Sequence, residues 1–253
     1  MKKTLLGYET VAASVTECNA DIVTALETAD GRCRWLACLN PHSYAVAKKD
    51  TAFSQALHCA DWLVPDGIGM LIAGRVLNLQ LKERITGFDI FEGVMRELNA
   101  RGGSVFFLGS TDDNLARIAE KLPRDYPNIH LAGTYSPPFK SEFSKKENDH
   151  MLEQINQAAP DVLWVGMTAP KQEKWIAAMQ PFLQVRFAGA IGAVFDFYTG
   201  KVKRSHPMFQ RIGLEWLPRL LRQPRRLWRR IAISAPIFLW DVSKSRLAAR
   251  KVD

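Results

Sequence analysis

The chain of 253 residues is 47% hydrophobic and 24% charged, which is enough apolar material for a sizeable core and too much for a disordered chain. Its net charge of +8 is unevenly placed: residues 201–253 hold 14 Lys/Arg against 3 Asp/Glu, whereas the first 200 hold 20 against 23. A near-neutral body of residues 1–204 and a strongly basic appendage of residues 205–253 is the simplest division. Cys18, Cys33, Cys38 and Cys59 form no CxxC pair, and the five histidines lack metal-ligand spacing. A disulfide scaffold and a structural zinc site are therefore not expected, and reduced thiols point to a cytoplasmic setting.

In chain order, the N-terminal Met-Lys-Lys-Thr-Leu-Leu-Gly-Tyr-Glu reaches an acidic residue before a signal-peptide core could form. Short apolar runs bounded by Gly, Pro or Asp then predict strands at Trp35–Leu39, Trp62–Val64, Val105–Leu108, His130–Gly133, Val162–Val165 and Arg186–Ala188. Helical periodicity predicts helices near Ser43–Asp50, Gly69–Leu77, Asp89–Ala100, Asp112–Leu122, Asn148–Ala158 and Lys171–Met179. Strands alternating with helices specify an α/β fold, a Rossmann-like, mostly parallel sheet with crossover helices.

Beyond residue 204 the pattern changes. Phe209, Ile212, Trp216 and Leu220 fall on one helical stripe, while arginines and Trp216, Trp228 and Trp240 crowd the same segment. Tryptophan suits the membrane–water interface and clustered cations suit anionic lipid, so a basic amphipathic helical appendage on a membrane surface is expected. Ile231–Trp240 is about half the ~20 residues a bilayer span needs and contains Pro236, so the expectation is a peripheral attachment.

Ligands of such sheets bind beyond the carboxyl ends of the strands. The segments there read Leu39-Asn40-Pro41-His42, Val64-Pro65-Asp66-Gly67, Leu108-Gly109-Ser110-Thr111, Gly166 to Glu173, and Gly189 to Asp196. Each combines small or turn-forming residues with a polar side chain, a pattern suited to a nucleotide with phosphates. Singly they are ambiguous. Pro65-Asp66-Gly67 is ordinary turn chemistry, Pro170 and Glu173 suit the start of any helix, and neither a GxGxxG nor a Walker lysine pattern is present.

Taken in order, Asn40, Pro65-Asp66-Gly67, Arg84-Ile-Thr-Gly87-Phe-Asp89, Phe107-Leu-Gly109, Asp161 to Gly166, Pro170-Lys-Gln-Glu173, Phe195-Asp196-Phe-Tyr-Thr-Gly200 and the tail Gly213 to Arg226 resemble the WecG/TagA/CpsF glycosyltransferases, glycosyltransferase family 26. Asn40–Tyr44 and Trp62–Gly69 look most similar to the GumM-type glucosyltransferases of exopolysaccharide assembly. The resemblance implies an inverting enzyme on the cytoplasmic face of the bacterial inner membrane. It would move a hexose from a UDP-sugar, here UDP-glucose, to an undecaprenyl-diphosphate-linked monosaccharide, with a UDP-N-acetylmannosamine or mannosaminuronic acid transferase as the alternative. It also implies Asp66 as general base, Asn40, Arg84 and Gln172 as active-site polar groups, and Gly109, Lys171, Gln172 and Asp196 on the donor side. Arg219, Arg226 and Arg229, with Trp216, would meet the lipid diphosphate and the membrane. Where many relatives carry Thr, this chain has Cys38.

An inverting transfer needs one carboxylate to take the acceptor hydroxyl's proton and some cation or donor to stabilise the departing diphosphate. No two aspartates stand two residues apart, so no Asp-x-Asp metal motif exists, and the reading is metal-independent with no cofactor. Arg84, the Lys171–Gln172 helix start and the tail arginines remain to bind phosphate oxygens. A dehydrogenase or epimerase would normally show a glycine-rich dinucleotide loop. A lipid or nucleic-acid binding module would explain the tail but not Asp66, Gln172 and Asp196 at successive strand ends, which argues against nucleic acid as a partner. A homo-oligomer stays open.

Overall fold

In the computed structural model, residues 1–28, 30–203, 228 and 230–249 are described, the side chains of 230 and 231 excepted. Trp216, Arg219, Arg226 and Arg229 lie outside the described residues, as does the 204/205 boundary.

The chain opens with a hairpin of β1 (Lys2–Leu5) and β2 (Tyr8–Val11), which sequence reading missed. Its two turn residues, Leu6 and Gly7, both have positive φ, at 50° and 90°, as a tight hairpin with right-handed twist requires. Helix α1 (Val15–Glu27) follows, started by a reciprocal cap between Ser14 and Glu17.

Six parallel strands then form one sheet: β3 (Arg34–Leu39), β4 (Trp62–Pro65), β5 (Ser104–Gly109), β6 (His130–Tyr135), β7 (Val162–Gly166) and β8 (Phe187–Ala190), in the order β4-β3-β8-β7-β5-β6. Five of these six are buried along most of their length, which is why they read as continuous apolar runs. All six expected strands are present, within two residues at either end.

The helices are α2 (Pro41–Ala47), α3 (Thr51–Cys59), α4 (Ile68–Val76), α5 (Gly87–Arg101), α6 (Asp112–Asp125), α7 (Lys145–Ala158), α8 (Lys171–Met179), α9 (Val194–Tyr198) and α10 (Ala235–Ala249). The helix expected near Ser43–Asp50 is α2, which starts two residues earlier and ends at Ala47, and the α3 that follows was not expected. The chain breaks because Asp50 turns extended and accepts the Phe53 N–H at 2.9 Å as the cap of a new helix. One face of the sheet packs on α2, α3, α4, α7, α8 and α10, and the other on α1, α5, α6 and α9. Trp164 at the centre of the second layer meets Phe91 and Phe187 edge-on at 5.2 and 5.7 Å.

Helix α10 belongs to the described part of the appendage, whereas the stripe Phe209, Ile212, Trp216 and Leu220 that carried the amphipathic expectation lies outside the described residues. Phe238 and Val242 are buried in the same core as α2 and α4. Leu239 and Trp240, on the opposite side, are 53% and 72% exposed. Apolar residues thus occupy both the face against the body and the exposed surface of the helix. No helix of the described residues is long and apolar enough to cross a membrane.

Candidate active site

From β5 the chain proceeds through α6 to β6 on one side, and from β7 through α8 to β8 on the other. The connections therefore diverge between β5 and β7, and a crevice opens there at the carboxyl ends of the strands. A cavity of about 430 Å³ fills it. Asn40, Asp66, Gly109, Lys171, Gln172 and Asp196 all line this cavity. Arg84 is half-buried two residues before the α5 cap and is not among the lining residues.

The wall beyond β3 and β4 is shaped by caps and turns. Asn40 caps α2: its Oδ1 accepts from the backbone N–H groups of His42 and Ser43 at 3.0 and 2.9 Å, while Ser43 Oγ accepts from the Asn40 N–H. The Asn40 carboxamide oxygen is thereby committed to the helix, which leaves its Nδ2 as the group with which it can meet a ligand. Asp66 is placed by its N–H donating to the Leu39 carbonyl at 2.8 Å, and by Gly67, whose φ of 98° turns the chain into α4. Burial holds the Cys38 thiol well above its ordinary value, with the nearby carboxyl groups, Asp66 foremost, adding to the effect and the Gly87 N–H opposing it. Cys38 is therefore a neutral wall group between carboxylates.

This wall is also fastened to the C-terminal helix. His42, which lines the cavity, has Nδ1 2.9 Å from the buried Ser234 Oγ. Two residues further along α2, Tyr44 Oη donates to Asp241 Oδ2 at 2.9 Å, and Lys48, at the C-terminal cap of the helix, pairs with the same oxygen. The Tyr44 ring meets Phe238 edge-on at 5.5 Å.

The wall beyond β5, β7 and β8 is built differently. Gly109 pairs with Gly166 across the sheet, with φ of 112°, and a Cβ there would stand 2.7 Å from the Gly166 carbonyl oxygen. Only glycine allows so close an approach of the two strand ends. Ser110 follows at φ of 62°, its N–H donating to the same carbonyl at 3.0 Å. The wholly buried Asn114 then ties three segments together. Its Nδ2 donates to Ser110 Oγ at 2.9 Å and to Asp196 Oδ1 at 3.2 Å, and its Oδ1 accepts from Thr199 Oγ1 at 2.7 Å. Sequence reading missed Asn114, although a polar residue on the buried stripe it shares with Leu115, Ile118 and Leu122 is a usable signal.

On α8, Lys171 turns its ammonium to the Lys140 carbonyl at 2.9 Å and over the Phe143 ring at 4.8 Å, and burial lowers its pKa. Its charge thus ties the loop between β6 and α7 to the cavity rim. Gln172 and Glu173 are only 4% and 3% exposed. Gln172 Nε2 donates to Glu173 Oε1 at 2.9 Å, and neither Gln172 Oε1 nor Glu173 Oε2 has a hydrogen-bond partner. Desolvation pushes Glu173 up to about 7, with the Gln172 and backbone N–H groups acting in the opposite sense. Its sequence position suggested only a favourable interaction with the helix dipole. Among the described residues, no group of three or more His, Cys, Asp or Glu side chains is gathered as a metal site would require.

The cavity therefore offers a carboxylate on one wall, a polar network around Asp196 on the other, and backbone amides at the starts of α6 and α8. Two relatives are 32% and 31% identical over 212 and 209 residues, each covering over 80% of this chain. They are the N-acetylglucosaminyldiphosphoundecaprenol N-acetyl-beta-D-mannosaminyltransferases of Bacillus spizizenii and Bacillus subtilis, of which 79% and 78% are matched. The sequence pattern of the Glycosyl transferase WecG/TagA/CpsF family matches residues 3–252, and the chain belongs to that family.

Proposed function

We propose that this protein transfers an N-acetylhexosamine of the mannosamine type from its UDP-sugar to N-acetylglucosaminyl-diphosphoundecaprenol, with inversion. The glucose reading suggested by Asn40–Tyr44 and Trp62–Gly69 yields to this one, because both relatives carry the mannosaminyl name. A β-linked product made from an α-linked UDP-sugar is an inversion, which calls for one general base and no covalent sugar-enzyme intermediate. Asp66 is proposed as that base. The observation that carries the reading is the convergence of Asp66, Asn40, Gln172 and Asp196 on one cavity at the strand ends of a chain of this family.

The donor's nucleotide is proposed to lie against the Gly109–Thr111 turn and Asp196, where the start of α6 offers N–H groups to an anion. Its sugar would then lie toward Gln172 and Asp66. The acceptor hydroxyl would approach Asp66 from the α2 side, nearer the C-terminal helix, with the lipid diphosphate proposed to be met by the tail arginines. The anionic membrane surface is the partner proposed for the exposed Leu239 and Trp240. The membrane-bound location on the cytoplasmic face rests on the same reading.

A panel of UDP-sugars offered to the purified full chain with synthetic undecaprenyl-diphosphate-N-acetylglucosamine tests it. The expected result is transfer from UDP-N-acetylmannosamine and little from UDP-glucose. Efficient transfer from UDP-glucose restores the first assignment, and no transfer from any UDP-sugar overturns the activity. Activity is expected to survive EDTA, since the reading assigns leaving-group stabilisation to side chains and backbone amides.

A further inference from the structure

Gln172 and Glu173 pose a hydrogen-bonding problem that a single proton solves. Two neighbouring side chains, both more than nine-tenths buried in the cavity wall, share one hydrogen bond and leave two acceptor oxygens without donors. Two unsatisfied buried acceptors are costly, and an ionised carboxylate in this place more so. If Glu173 carries a proton on Oε2, the pair gains the missing donor: Oε1 accepts from Gln172 Nε2, and the Oε2 hydroxyl is offered back to Gln172 Oε1. The amide is then held at both ends. Gly192 supports it from the side, since a Cβ on that residue would lie 3.6 Å from both Gln172 Nε2 and Gln172 Oε1.

The surrounding charges do not favour ionisation. Asp66 stands beyond β4, Asp89 at the start of α5, and Cys38 on β3, where its neutral thiol feels both Asp66 and Glu173. Asp50 at the start of α3 is paired with Lys174 at 3.1 Å, and Lys171 is turned to Lys140. His42 on α2 lies near Ser234, and Asp196 is held by Asn114. Among the described residues no cation pairs with Glu173. Desolvation alone accounts for its upward shift.

We propose that Glu173 is a positioning residue that works as the neutral carboxylic acid, locking the Gln172 amide in the orientation that receives the sugar of the UDP-sugar donor. Loss of its proton sets two acceptor oxygens against each other, frees the amide to swing, and weakens donor binding without touching the base. This rests on the proposed function for the identity of the ligand.

The donor KM and kcat are to be measured between pH 5.5 and 9 for the full-length wild type, Glu173→Gln and Glu173→Ala. The wild-type KM is expected to rise about tenfold per pH unit above neutrality, as expected when only one protonation state is competent, with a smaller change in kcat. Glu173→Gln, which keeps a donor at the second position, is expected to hold a low KM throughout, and Glu173→Ala a high one. A wild-type KM that stays flat, or a rise that persists unchanged in Glu173→Gln, overturns the proposal. A readout independent of turnover separates it from the proposed function: with ¹³C-labelled glutamate, one carboxyl resonance absent from Glu173→Gln is expected to titrate near neutrality. Its titration in the ordinary carboxylate range overturns the proposal even if transfer is normal, and its titration near neutrality upholds the neutral acid even if no UDP-sugar is used.

Discussion

The two walls of the cavity achieve rigidity by different means. The β5–β7–β8 wall is closed on itself: Gly109 against Gly166, and Asn114 joined to Ser110, Asp196 and Thr199, all within the sheet and the helices that flank it. The β3–β4 wall leans outward. Its Asn40 and His42 stand on α2, and α2 is bonded to the C-terminal segment through Ser234 and Asp241. On the proposed function, the self-supported wall takes the nucleotide and the wall that depends on a distant part of the chain takes the acceptor, which would suit a reaction in which one substrate diffuses freely and the other is fixed in lipid.

The sharpest way to divide the walls is chemical. Asp66→Asn is expected to lower turnover by about 10²–10⁴-fold while leaving UDP binding unchanged, the effect of losing a general base. Near-normal transfer in a radiolabelled-donor assay removes Asp66 from the mechanism, and lost UDP binding means that the two walls are not separable. Next in size, Phe238→Ala removes a side chain buried against Tyr44 and Gly69 and is expected to cost about 3–5 kcal/mol in denaturant unfolding. Loss of less than about 1 kcal/mol there means that α10 is not part of the cooperative core.

Glu173, on α8 in the β5–β7–β8 wall, gives the comparison a pH axis. Its pKa is raised from 4.5 to about 7, so the folded state binds the proton more tightly than the unfolded chain. The resulting stabilisation is complete below pH 4.5 and lost as pH rises through 7. Urea unfolding of wild type and Glu173→Gln is therefore expected to diverge with rising pH, the variant gaining up to about 3 kcal/mol relative to wild type by pH 8. Parallel curves rule out a buried neutral acid. The smallest effect expected is at Asn114→Ala, about 1–3 kcal/mol lost from UDP binding as Asp196 and Ser110 lose their common partner, read by calorimetry. Unchanged UDP affinity separates that network from nucleotide binding.

How far this was legible in the sequence follows from which forces were local. Five of the six parallel strands could be read because strands buried on both faces are continuous apolar runs, and the strand-end turns followed from their Gly, Pro and Asp residues. The hairpin could not, since Leu6 occupies a positive-φ turn position where Asn or Gly is the usual signal. Helix α1 had a legible start in Ser14 and Glu17, which was overlooked. Asn40, Asp66, Gly109, Lys171, Gln172 and Asp196 were singled out by their place after the strands together with the family resemblance, and the fold brings them to one cavity, whereas Arg84 does not join its lining. Glu173 and Asn114 were missed because their significance is burial, and burial of a polar side chain is decided by what packs over it from far along the chain.

The seating of α10 has a geometric consequence. A flexible tail with exposed tryptophan could adhere to a flat surface at any angle, leaving the body free to tumble above it. Here Phe238 and Val242 pin one side of the helix into the core while Leu239 and Trp240 face outward. Any surface that takes up those two side chains meets the whole molecule in a single attitude, and the bearing of the cavity mouth toward that surface is settled by the rotation of one helix about its axis.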